Sequence, residues 1–179
     1  MAKLKILIAG NDHFKRMIEI DHSLHSHYAY RLQTNLEDHT STFTFTRVKL
    51  PREAHLSYMR DMDSLIKSLD EASQVFVGEL DDVLISYVVI DDKTVPATTR
   101  VSDLVVIPEL RQKGIGRTML AMVENWAAEN QKERVLLETP MRNYPMVELA
   151  LNCGYEICGF LDHYFPNGDP ALFYQKRLA

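Results

Sequence analysis

Cysteine is scarce: Cys153 and Cys158 are the only two among 179 residues, and their C-x4-C spacing fits neither a zinc knuckle nor a redox dithiol motif. One pair would make a thin disulfide framework for a secreted chain of this length, so both read as free thiols in a reducing compartment. Excess positive charge is missing as well, with 20 Lys and Arg against 25 Asp and Glu and a formal net charge of -5. Binding that neutralises nucleic-acid phosphates needs a basic face, so no nucleic-acid partner is expected, whereas a cationic substrate is compatible with this balance. No apolar run is long enough for a bilayer. The opening MAKLKILIAGNDHF has two lysines but only a few apolar residues before Asn11 and Asp12, too few for a signal peptide or a span. The expectation is a cytoplasmic protein without a membrane partner. Repeats, low-complexity tracts and linkers are also lacking, and 46% hydrophobic residues suffice to bury one core, so residues 1–179 are expected to form a single domain.

What is present reads as alternating strands and helices. Residues 4–9, LKILIA, form a short apolar run closed by Gly10 and Asn11, a first strand and its turn. From about Asp12 to Leu36 the residues Phe14, Met17, Ile18, Ile20, Leu24 and Leu32 recur at roughly helical spacing. His22, His25 and His27 lie among them, but no carboxylate or cysteine stands at a recognised ligand spacing, so solvated or capping histidines are expected and no metal site. Residues 43–50, FTFTRVKL, alternate with period two and stop at Pro51, before a weakly amphipathic helix across Met59, Met62, Leu65, Ile66 and Leu69.

Beyond residue 75 the pattern sharpens. VFVGEL, the tight turn at Asp81 and Asp82, and VLISYVVI make an antiparallel meander, with a second turn at Asp91, Asp92 and Lys93. A third strand, about Thr99 to Ile107, ends at Pro108 and leads through a basic glycine loop into a helix with Met119, Leu120, Val123, Trp126 and Ala127 on one face. RVLLET, residues 134–139, has the composition of a buried strand parallel to the one before the helix. A short helix starting at Pro145 and strands at about Glu156–Leu161 and Ala171–Leu178 complete the chain.

The informative element is VVIPELRQKGIGR, residues 105–117, between a strand and a helix. Such a loop turns successive backbone N–H groups toward one point at a helix N-terminus, where unpaired donors and the helix dipole favour a diphosphate. Gly114 and Gly116 let an anion approach the backbone, and Arg111, Lys113 and Arg117 add positive charge. Dinucleotide loops read G-x-G-x-x-G and triphosphate loops end in G-K-[ST]; here the chain runs R-x-x-G-x-G and then Arg-Thr, which fits neither.

That R-x-x-G-x-G, following a strand that ends in VVIPE, resembles the acetyl-coenzyme-A loop of the GNAT N-acetyltransferases. Asn143, followed eleven residues later by Gly154-Tyr155, resembles that family's N-x-x-A and G-F segment, and the likeness covers roughly residues 75–178. It implies an α/β fold with a mixed, mostly antiparallel sheet of six or seven strands, splayed between two central parallel strands and flanked by about four helices. It also implies acetyl-coenzyme A as co-substrate without a metal. The pyrophosphate would lie on Arg111, Gln112, Lys113, Gly114, Ile115, Gly116 and Arg117, the pantetheine arm would pair with the backbone of Leu104, Val105 and Val106 as an added strand, and Asn143 would bind the arm. A backbone N–H at that bend could polarise the thioester carbonyl.

Because the family generally transfers the acyl group directly to the amine, neither cysteine is expected to be a nucleophile. An alkylamine with a pKa of about 10.4 arrives protonated, so a base is required. Asp103, on the strand feeding the loop, is the first candidate; Glu138, on the facing strand, is the second, with pairing to a neighbour such as Arg142 as its competing role. Many family members protonate the leaving thiolate from a tyrosine seven residues after the motif asparagine. Ala150 occupies that position, and Tyr144 and Tyr164 are unranked substitutes, while Tyr155 is expected in the core.

A looser likeness of LLET, RNYP and GYEICGFLDHYFPNGDPALFYQKRL to streptothricin acetyltransferases, which act on a polycationic antibiotic, agrees with the acidic balance. The leading expectation is acetylation of a primary amine on a small cationic molecule. A peptide or protein amino group is the alternative acceptor, a non-catalytic acyl-coenzyme-A sensor is the alternative class, and a homodimer stays open.

Overall fold

A computed structural model of the chain describes residues 3–57 and 62–178. Strand β1 (Lys5–Ile8) leads into helix α1 (Asn11–Glu19), and strands β2 (Leu24–Glu37) and β3 (Thr40–Leu56) then form a long antiparallel hairpin. Helix α2 (Met62–Glu71) precedes the meander of β4 (Gln74–Leu80), β5 (Val83–Asp91) and β6 (Thr98–Val106). Helix α3 (Ile115–Glu129) crosses to β7 (Arg134–Pro140), and α4 (Tyr144–Asn152), β8 (Glu156–Leu161) and β9 (Ala171–Arg177) follow. Seven strands make one sheet in the order β1-β4-β5-β6-β7-β9-β8, and β2-β3 is a separate two-stranded sheet. The fold is thus mixed α/β with a mostly antiparallel sheet and a parallel β6–β7 pair, as the sequence implies.

The meander forms for local reasons. Asp81 and Asp82 both take positive φ, 49° and 62°, which a two-residue hairpin turn requires at both central positions, and aspartate tolerates this conformation better than most residues. Five consecutive residues of β4 and seven of β5 are buried, because helices cover both faces of the sheet. On one face α3 buries Met119, Leu120, Val123 and Ala127 against Val88, Val101, Val135 and Leu137. Each large side chain removed from water there contributes about 1.5–3 kcal/mol. On the other face Met17 of α1 and Leu65 and Leu69 of α2 pack on Val77, Tyr87, Val89 and Val105.

The N-terminal third departs from expectation. The helical spacing over residues 12–36 ends at Ile20, whose extended backbone (φ -65°, ψ 139°) closes α1, and β2 begins four residues later. Leu24 and Leu32, which the helical reading counted, lie on this strand, where Tyr28, Tyr30 and Leu32 follow a period of two. Strand β3 runs through Pro51 instead of stopping there. Leu50 to Glu53 have no partner on β2, since the register passes from Ser26↔Ala54 to Tyr28↔Lys49, so proline removes no ladder hydrogen bond. Helix α2 begins at Met62, and the expected Met59 lies outside the described residues. Among the described residues no helix is long and apolar enough to cross a membrane.

Candidate functional site

Strands β6 and β7 pair in parallel over Thr98–Val101 with Arg134–Leu137 and then part. Beyond Val101, β6 keeps β5 as its neighbour, while β7 continues against β9 as far as Pro140↔Ala171. A bulge between Val89 and Ile90, opposite Asp103 and Val101, inserts Ser102 and bends β6 where the strands separate. Past the fork Leu104, Val105 and Val106 pair with β5 and have no ladder partner on β7.

At the far end of β6 the chain turns through Pro108–Leu110 into α3. Gln112 and Gly114 both have positive φ, 59° and 84°, and Gly114 is the N-cap of the helix without a side-chain cap. The first N–H groups of a helix have no acceptor within it, so this uncapped end presents its donors outward. Gln112, Lys113 and Arg117 are exposed there and Ile115 is half-buried. A Cβ on Gly114 would meet nothing within 4 Å, so its glycine requirement is conformational. Gly116 has a different reason: an added Cβ would lie 3.0 Å from Leu149 Cδ2, so its bareness lets α3 and α4 approach each other.

Arg111 points away from this donor array. Its Nε donates to the Val106 carbonyl (2.8 Å), Nη1 to Ser23 O (2.7 Å) and Nη2 to Asp21 O (3.2 Å). The guanidinium ties the root of the hairpin to the end of β6, a task its planar fork suits and a lysine cannot reproduce. Asn143 Oδ1 accepts the Met146 N–H (3.2 Å), which caps α4 and leaves the amide nitrogen as a donor.

The two carboxylates proposed from sequence flank the fork, Asp103 two residues past the last β6 pair and Glu138 one residue past the last β7 pair. Asp103 is 7% exposed and Ser68 Oγ lies 3.4 Å from its Oδ2. Near it is a histidine that the helical spacing did not single out: His22 Nε2 is 2.7 Å from the buried Tyr87 hydroxyl. Burial lowers the His22 pKa, and the Ile20 backbone and the charges of Asp103 and Asp21 only partly oppose this, so the ring is held neutral. Glu138 does not pair with Arg142, which lies 3.0 Å from Asp169. It accepts from Arg100 Nε (2.9 Å) and Nη2 (2.8 Å) and from the Tyr164 hydroxyl (2.9 Å). A cleft of about 460 Å³ opens on the same face, lined by Ser68, Asp91, Arg100 and Ser102 among others.

Of the remaining tyrosines, Tyr155 is 2% exposed in the core as expected, and Ala150 is fully buried beside it. Tyr144 accepts from Arg47 Nη1 (3.0 Å) and packs on Tyr28 and Tyr30, with ring centroids 5.2 and 6.2 Å away. Tyr87, Ser68 and Arg100 escape sequence reasoning because only the sheet brings them together, and His22, expected to be solvated or capping, is half-buried against Tyr87 instead.

The family model described as the acetyltransferase (GNAT) family matches residues 32–155, well over half of the chain. The chain belongs to the GNAT acetyltransferase family. As a member of this family it is an acetyltransferase with acetyl-coenzyme A as co-substrate. Comparison with curated protein sequences returns no match. Among solved structures, a nourseothricin acetyltransferase superposes with a TM-score of 0.85 at 20% identity, covering 98% of this chain and 99% of the other. A Bacillus anthracis str. Ames protein with a provisional streptothricin acetyltransferase assignment, solved in complex with acetyl coenzyme A, gives 0.78 at 17% identity over 99% and 98%. The ribosomal-protein-S18-alanine N-acetyltransferase of Escherichia coli gives 0.69 at 12% identity over 99% and 95%. At these identities the structures share the fold with this GNAT chain, and their acceptors differ from one another.

Proposed function

We propose that residues 1–179 act as one unit that moves an acetyl group from acetyl-coenzyme A directly to a primary amine of a small cationic molecule. The observation that carries this reading is the pair of carboxylates, Asp103 and Glu138, on either side of the fork where β6 and β7 part. In it the pyrophosphate rests on the N–H groups from Gln112 to Arg117, and the pantetheine arm lies along Leu104 to Val106, with Asn143 Nδ2 as a further donor. Arg111 organises that loop through its carbonyl bonds. The high TM-scores to streptothricin-type enzymes support a small-molecule amine over a peptide.

Asp103 is the base in this reading. Glu138 accepts from Arg100 and from the Tyr164 hydroxyl, and breaking a buried pair of this kind costs roughly 3–5 kcal/mol, so its role here is to orient those groups. In this reading Asp103, buried at the fork with Ser68 Oγ 3.4 Å from its Oδ2 and His22 near it, accepts the ammonium proton. The leaving thiolate takes its proton from Tyr144, which receives a hydrogen bond from Arg47 and keeps its own hydrogen, in contrast to Tyr164, whose hydrogen is given to Glu138.

One observation favours the sensor reading: Ala150, where many GNAT members carry the acid tyrosine, is fully buried. The deciding experiment is release of free thiol from acetyl-coenzyme A with streptothricin, polyamines, aminoglycosides and peptides as acceptors. Turnover with one class of small amine supports the proposal, turnover confined to peptides moves the acceptor to the alternative, and binding of acetyl-coenzyme A without turnover of any acceptor establishes a sensor.

A further inference from the structure

The root of the β2–β3 hairpin assembles side chains that lie far apart in sequence. His25 and His55 are directly opposed across the two strands, their rings 4.0 Å apart between centroids and inclined at 69°. Glu53, at the end of the unpaired stretch Leu50 to Glu53, reaches both: its Oε2 is 3.6 Å from His25 Nδ1 and 3.8 Å from His55 Nε2. His27, the residue that bulges from β2, places Nε2 3.3 Å from the other oxygen, Oε1. One atom each from His25, Glu53 and His55 lies within 4.8 Å of the other two.

From this we infer a divalent transition-metal site, for zinc or an ion of similar preference, held by His25 Nδ1, Glu53 Oε2 and His55 Nε2, with the fourth position left to solvent. The separations support it: tetrahedral zinc with bonds of about 2.0–2.1 Å sets its ligand atoms about 3.3–3.5 Å apart. The two contacts to Glu53 Oε2, 3.6 and 3.8 Å, already fall within a few tenths of an ångström of that edge. The remaining gap between the two opposed imidazoles closes by side-chain rotation, because His25 and His55 are 48% and 69% exposed and unconfined. Imidazole with one carboxylate selects zinc, copper or nickel over magnesium and calcium, which prefer all-oxygen shells. Sequence spacing cannot see Glu53 and His55 across a hairpin, and His22 points elsewhere, to Tyr87.

The consequence is mechanical. Bound metal would pin β2 to β3 where the ladder is interrupted, two residues from Ser23, whose carbonyl accepts from Arg111. It takes no part in acyl transfer.

The test is titration of chelator-treated protein with zinc by calorimetry and with Co2+ by visible absorption, which reports four-coordinate geometry through its d–d bands. One ion per chain is expected, with a higher thermal midpoint on zinc addition. A His25→Ala/His55→Ala double variant should weaken binding by more than about 100-fold and Glu53→Gln by more than about tenfold, since loss of an outer-shell partner alone typically costs 10–100-fold. Both variants should keep the metal-free melting temperature, because all three side chains are exposed. Cys158→Ser controls for the exposed free thiol. Unchanged affinity in the double variant, loss of binding in Cys158→Ser, or no stoichiometric binding by the parent protein would each overturn the site.

Discussion

The two sheets of this acetyltransferase solve opposite problems. In the seven-stranded sheet, β4 to β7 are covered on both faces and their side chains are mostly buried. The β2–β3 hairpin is almost wholly exposed beyond Leu32, with Leu36 at 70% and Phe43 at 45%. It is joined to the large sheet through few points: the Tyr30 N–H to the Met141 carbonyl (3.0 Å), the contact of Phe43 and Phe45 with Phe160, and the Arg111 clamp at its root. The large sheet supplies a rigid fork and a donor-rich helix end, while the hairpin brings side chains such as Tyr28, Tyr30 and Arg47 up to Tyr144 from outside. The two sheets thus differ in how far burial holds them, and substitutions should separate their contributions to stability.

The sharpest contrast is between Leu137→Ala and Leu36→Ala. Leu137 is fully buried between β6 and β9, so its truncation should cost about 2–5 kcal/mol in denaturant unfolding, whereas Leu36→Ala should stay within about 0.5 kcal/mol. Equal effects would mean that the hairpin is as integral to the core as β7. Next comes Asp103→Asn, which should lower turnover by a factor of about 100 or more, or about 2.7 kcal/mol of barrier, with affinity for coenzyme A retained. The acidic limb of the wild-type pH–rate profile should vanish in the variant. A loss confined to the Michaelis constant of the amine would instead make Asp103 a substrate-positioning residue.

A smaller effect is expected at the loop. Gly114→Ala forces a side chain into φ +84° and should cost about 1–2 kcal/mol with a raised Michaelis constant for acetyl-coenzyme A. Gly116→Ala needs only a shift of a few tenths of an ångström in Leu149, so melting should fall less. If both variants bind acetyl-coenzyme A normally, the pyrophosphate lies elsewhere. The smallest effect concerns pH. His22 binds a proton less well in the folded chain than in the unfolded one, so its contribution to stability is complete above about pH 6.5 and declines as pH falls toward the lowered folded value. His22→Gln should flatten the fall in melting temperature between about pH 7 and 5; an unchanged slope would exclude His22 as its source.

Legibility followed the same division. From Val75 onward each strand and helix was readable to within a residue or two, because buried strands and an amphipathic helix write their period into the sequence and Asp81-Asp82 and Gly114 mark the turns. The N-terminal third was misread where burial is weak. Leu24 and Leu32, eight residues apart, fit both a helical and a two-residue period, and a proline that would end a central strand sits harmlessly in the unpaired stretch of β3. The loop was found from Gly114 and its neighbours, yet Arg111, which looked like a phosphate ligand, is occupied by three carbonyls.

By itself the sequence determined the order and type of the C-terminal elements, the helix-end loop and its family, since these depend on interactions between residues close in the chain. Only the tertiary structure decided which groups meet. Asp103 with Ser68 and near His22, Glu138 with Arg100, Gly116 against Leu149, and Glu53 between His25 and His55 are all brought together by strand register and sheet order. Such contacts span tens of residues, and no local periodicity encodes them, because they arise when separate elements bury their apolar faces against one another.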